Sequence, residues 1–254
     1  MPLDYKGSVL RYEKRWALLG SVVMAMKKIK FSITSVMDKF RSATDTQDIR
    51  VDHPLGDIGY WFPRKSIVDQ LNALMLVRNS KVGNTLFSAL DPRKIGFISS
   101  FELAGILNVF VKLPWSSPWA SGGDKDDDEG VEVTDNQEAV VPASTIVDVM
   151  ISAAQDELDG LLPTSVVATI MTSICCSHQA EDSMVALLSV LISKLPNKVQ
   201  ILHSPNISVK ATSMRCITKR QIVDAIASSP GLTELIEMQF KEATIAASRG
   251  LSDV

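Results

Sequence analysis

Four segments of this chain repeat one pattern: a large apolar residue, then Pro, Ser or Thr, then a stretch with apolar residues at helical offsets. They run Phe62–Leu71, Ile98–Leu107, Leu162–Met171 and Ile217–Ile226. Self-similarity at this level restricts the fold more than composition does, because each copy must form the same small unit and bury the same face. In two copies a capping box is expected, from Ser99 with Glu102 and from Thr218 with Gln221, where each side chain satisfies a helix-end amide. Around the copies, apolar residues recur at three and four. The spacing predicts helices over 8–42, 80–90, 143–155, 182–195 and 231–248, and no long alternating strand stands out.

The spacing of the copies gives the domain layout. The apolar leads of the first two are 36 residues apart and those of the last two 55 apart, with 64 between the second and third. That central gap contains an acidic stretch with eight Asp or Glu and one Lys between Asp124 and Glu138. Flanked by Pro, Gly and Ser, such a run cannot bury enough surface to offset ordering entropy and reads as a mobile linker. The layout is therefore an N-terminal helix (1–35), a first lobe (36–113), a linker (114–142), a second lobe (143–230) and a C-terminal helix (231–254). The wide spacing in the second lobe needs an enlarged loop, and the text from Lys194 to Cys216 is loop-like enough to supply it.

The second copy carries a wider pattern, Asp91-Pro-Arg-Lys-Ile-Gly-Phe-Ile-Ser-Ser-Phe-Glu102, entered by an apolar helix from Val82 to Leu90. With Asp at position 1, Gly96 at 6, Ile98 at 8 and Glu102 at 12, it resembles a loop of the EF-hand superfamily, of which calmodulin is the familiar member. The third copy keeps Gly160 at 6 and Leu162 at 8. The resemblance spans about residues 35–230. It implies an all-α fold of two lobes, each of two helix-loop-helix units joined by a short β-bridge at position 8, so that Phe62 pairs with Ile98 and Leu162 with Ile217. Helical extensions flank the lobes.

Calcium needs six to eight oxygens, supplied from loop positions 1, 3, 5, 7, 9 and 12. No copy keeps the set. The second has Arg93 and Ile95 at positions 3 and 5. The third has Val166 at 12, the first Leu55 and Ser66 at 1 and 12, and the fourth Met214 and Gln221 at 5 and 12. Asp91 and Glu102 are the one pair left at 1 and 12, and they read as vestigial. No metal or other cofactor is expected. The preferred roles are structural, with Asp91 capping a helix end and Glu102 closing the capping box.

Other chemistry is sparse. Cys175, Cys176 and His178 lack a second ligand pair at zinc spacing and read as packing residues. No nucleophile elbow and no phosphate-binding glycine loop is present, so an enzyme is not expected. The formal net charge of −3 lacks the basic excess of a nucleic-acid binder. The longest apolar run near the start, Trp16 to Met26, is too short to span a bilayer. Lys27, Lys28 and Lys30 follow it with no cleavage site, so a secretory signal is not expected either. Three cysteines make a disulfide framework unlikely and fit a reducing compartment inside the cell.

The first fifty residues carry a net +5. Trp16, Leu19 and Val23 give the N-terminal helix an apolar face with basic flanks, suited to a membrane surface, an acidic partner or the groove of a lobe. With Ile67, Leu71 and Leu74 of the first exiting helix, they are the candidate partner-binding residues. The resemblance with its loops emptied of ligands implies a non-enzymatic structural or adaptor subunit of a larger assembly, holding partner helices or loops. Cytoskeletal or ciliary machinery is the expected setting, ahead of a mitochondrial complex. The alternative is a calcium-responsive regulatory protein with one weak site at 91–102.

Overall fold

A computed structural model describes residues 5–44, 59–91, 94–114, 140–158, 160–202 and 212–249. The described chain is mostly helical, with two small antiparallel sheets. The acidic stretch from Asp124 to Glu138 lies outside the described residues.

The expected helix 8–42 is two helices, α1 (Tyr5–Lys28) and α2 (Ile33–Ser42). The break is local. Lys30 takes a left-handed conformation (φ 57°), and the Phe31 N–H reaches back to the Met26 carbonyl at 3.0 Å. This is the geometry that ends helices. Ser32 then starts α2 as its N-cap, its hydroxyl accepting from the Ser35 N–H at 3.1 Å. Apolar periodicity continues through the corner, so the pattern alone does not reveal it.

The first half continues with β1 (Trp61–Pro63), α3 (Arg64–Ala73), α4 (Ser80–Leu90), β2 (Phe97–Ser99) and α5 (Ser100–Lys112). Strands β1 and β2 pair antiparallel with Phe62 opposite Ile98. The second half runs α6 (Ala143–Glu157), β3 (Leu161–Pro163), α7 (Thr164–Thr172), α8 (His178–Lys194), β4 (Lys198–Leu202), β5 (Thr212–Thr218), α9 (Lys219–Ala227) and α10 (Pro230–Arg249). Here β3 pairs antiparallel with β5, and Leu162 lies opposite Ile217. The two pairings share one register.

Two expectations are corrected. The text after α8, read as loop, contains β4, which pairs along its five residues with β5 to give a three-stranded sheet of order β3-β5-β4. Val199 and Ile201 alternate with Lys198 and Gln200, a run too short to stand out as a strand. Of the two capping boxes, the Thr218–Gln221 box forms. The Ser99 box does not: the Ser99 hydroxyl makes no capping bond and, enclosed at the end of β2, has no hydrogen-bond partner among the described residues.

One continuous apolar core runs through both halves. Helix α5 packs on α6. At Gly105 a Cβ would lie 3.0 Å from the Ile170 side chain of α7 and 3.3 Å from the Met150 carbonyl oxygen of α6. Helix α1 lies against α4, α5 and α10. Its Trp16 ring stands 5.4 Å from that of Phe110, which is 6.4 Å from Phe240 on α10. At Gly20 a Cβ would come within 2.8 Å of the Ala247 carbonyl oxygen, so only glycine lets α1 and α10 meet there. Among the described residues, no helix is long and apolar enough to cross a membrane.

Candidate functional site

The loop after α4 is built around one carboxylate. Asp91 ends that helix, its own N–H bonded to the Phe87 carbonyl at 2.9 Å. Its side chain turns forward: Oδ1 accepts the Ile95 N–H at 2.9 Å and Oδ2 accepts the Gly96 N–H at 2.8 Å. Both oxygens are thus engaged by backbone, and Asp91 is buried. Lys94 (φ 55°) and Gly96 (φ 85°) take left-handed conformations that bring those amides round to the carboxylate. Asp91 therefore holds the loop as well as following the helix, a larger role than a simple cap. The Phe97–Ser99 strand leads from this loop into α5, where Glu102 occupies the first turn.

Asp91 and Glu102 line a cleft of about 60 Å³ together with Tyr12 and Arg15 of α1, Ser173 at the end of α7, and Glu181 of α8. Arg15 is almost fully buried. Its guanidinium donates to the Ser173 carbonyl and lies 4.6 Å over the Trp16 ring. A cation at the last carbonyls of α7 is favourable because the negative end of the helix dipole is there. Arg15 belongs to the basic flanks of the N-terminal helix in the sequence, yet it packs into the core. The signal was present in the spacing: Arg15 stands four before Leu19 and seven before Val22, on the stripe that the core takes.

The other loops are held differently. At position 5 of the first, Gly59 (φ 70°) lies where a Cβ would meet the buried Phe101 ring at 2.5 Å. In the third, Gly160 (φ 82°) bonds back to the Gln155 carbonyl at 3.2 Å, and Val166 at position 12 is fully buried. In the fourth, Gln221 is committed to the capping box and Met214 lies in β5. Arg93, Asp159 and Leu55 lie outside the described residues. Among the described residues no group of three His, Cys, Asp or Glu is placed to hold a metal ion.

Cys175 and Cys176 are free thiols at the turn after α7. Burial pushes both up, from the ordinary thiol value of 9.0 to about 12, so they are protonated and poor nucleophiles near neutral pH. His178 is mostly exposed, with its Nδ1 3.2 Å from the Tyr12 hydroxyl.

Of the candidate partner-binding residues, Trp16, Leu19, Val23, Ile67 and Leu71 are buried in the chain's own core, and Leu74 is partly buried at the end of α3. Leu19, Ile67 and Leu71 line one small apolar cavity enclosed by α1, α2, α3, α4 and α5. As placed, the five buried residues offer no face to another molecule.

Among the described residues, α8 leaves several apolar side chains open. That helix buries Ala180, Met184 and Leu188 and leaves Val185, Leu187 and Val190 exposed. Val199, on the edge strand β4 that follows α8 in the chain, is 67% exposed. No family model, no curated protein and no solved structure matches the chain.

Proposed function

We propose that this protein is a non-enzymatic structural or adaptor subunit of a larger assembly, built from degenerate EF-hand units that do not bind calcium tightly. Two features support the EF-hand part of the reading. The helix-loop-helix copies pair through Phe62 with Ile98 and through Leu162 with Ile217, in one register. The loops themselves have exchanged oxygen ligands for packing and backbone bonds, with Asp91 engaged by two amides and Val166 in the core.

The observation that carries the subunit reading is α8. Beyond the stripe it buries, this helix leaves three large apolar side chains, Val185, Leu187 and Val190, facing water. A helix or loop of a partner protein laid on this surface completes the burial.

Isolation of the tagged full chain from its own cells tests the reading. It expects a protein partner retained in fixed stoichiometry and released by V185S/V190S, two substitutions at exposed positions that leave the fold intact. A monomeric chain with no retained partner would overturn it. Calorimetric titration with calcium is expected to show no site tighter than about 10⁻³ M, the weak extracellular range. A micromolar site abolished by Glu102→Gln would replace the adaptor reading with a calcium-responsive one.

A further inference from the structure

The corner between α1 and α2 is exposed, basic and tipped with apolar side chains. Every residue from Lys27 to Ser32 is exposed. Ile29 and Phe31 are 41% and 37% exposed, although both are large apolar residues. The left-handed Lys30 and the back-bond from Phe31 to Met26 fix the turn that projects them. Met26 and Val36 on either side are buried, so the corner is anchored from beneath. Lysines alternate with the apolar tips in the order Lys28, Ile29, Lys30, Phe31. No acidic residue occurs between Glu13 and Asp38.

We propose that this corner docks on an anionic lipid bilayer surface, with Ile29 and Phe31 entering the boundary between headgroups and acyl chains and Lys28 and Lys30 lying against the acidic headgroups. Size and charge select this occupant. Two partly exposed side chains on a short turn cover far less than the roughly 800 Å² per partner that a stable protein interface buries. A bilayer interface accepts such tips singly, because it deforms around them. The anionic leaflet attracts lysines near its surface. The first fifty residues carry +5 in a chain whose total is −3, so the rest is acidic and a negative surface turns the molecule corner-first. The inference does not depend on the adaptor reading, which concerns the α8 surface.

Co-sedimentation of the full chain with phosphatidylcholine vesicles, with and without phosphatidylserine, tests it. Weak, reversible binding is expected with phosphatidylserine only, falling as salt is raised. K28Q/K30Q is expected to weaken binding on the order of 25-fold, about fivefold per lysine, and I29S/F31S on the order of tenfold. The pair K194Q/K198Q, exposed lysines elsewhere, is expected to leave it unchanged. All variants are checked by melting, and should I29S/F31S unfold, the lysine pair decides. No sedimentation with phosphatidylserine, equal sedimentation without it, or an equal loss in K194Q/K198Q overturns the proposal. So does binding to polyglutamate in the absence of vesicle binding, which would make the corner a site for acidic polypeptides.

Discussion

At the scale of the residue, Asp91 is the group whose loss is most informative. Its carboxylate accepts two backbone amides in a buried loop, and leaving such amides unpaired costs about 1–3 kcal/mol. Asp91→Ala is expected to lower stability to urea by that amount, and Asp91→Asn, which keeps one acceptor, by less. An unchanged midpoint in Asp91→Ala would mean that the carboxylate does not hold the loop. Two glycines separate backbone strain from crowding. Gly96 has φ 85° and nothing within 4 Å of a Cβ, whereas Gly59 has φ 70° and the Phe101 ring at 2.5 Å. Gly96→Ala is expected to cost about 1–2 kcal/mol for its left-handed backbone, and Gly59→Ala about 1–3 kcal/mol more for overpacking. The thiols give a pH signature. With Cys175 and Cys176 raised to about 12, the folded state holds protons that the unfolded chain releases near pH 9. Stability is therefore fully present below pH 9 and falls as pH rises from there towards 12. Alkylation at pH 8 is expected to be slow until urea unfolds the chain.

At the scale of the element, α1 decides how much of the chain's arrangement can be tested with one substitution. Trp16 is buried beside Phe110, and Trp16→Ala is expected to cost about 3–5 kcal/mol. In a chain of this length that lowers the melting temperature by on the order of 10 °C. An unchanged melt would place α1 outside the core. The helices were legible in the sequence, because helical spacing is a local signal, whereas the partners Phe62–Ile98 and Leu162–Ile217 were expected from the EF-hand resemblance. The break at Lys30 was not, since the apolar stripe runs through it and any residue with a modest strain tolerance can take the turn. The β4 strand was hidden by its shortness. Arg15 was hidden by its charge, although its spacing put it on the core stripe. The apolar side of α8 was visible as composition, but which of its faces stays open depends on α7 and α10 packing on the other side, and that is not a local property.

At the scale of the whole molecule, the two halves are joined by side-chain packing as well as by residues 115–139. An engineered protease site between Gly122 and Gly123 tests this. After cleavage the fragments are expected to co-elute in gel filtration, because α5 and α6 interlock at Gly105. Gly105→Leu, which drives a side chain into Ile170 and the Met150 carbonyl, is expected to let them separate. Separation of the cut wild-type chain would show that the halves are independent bodies. The contact of α1 with α10 has a consequence for synthesis. The surface that Gly20 meets is Ala247, so α1 waits for α10. At about 5–20 residues per second, the ribosome extends the chain for on the order of ten seconds or more while Trp16, Leu19 and Val23 lack part of their final cover. A nascent chain of this protein is thus expected to need holding factors until α10 emerges, and a stop codon just before Pro230 leaves that vulnerable state permanent.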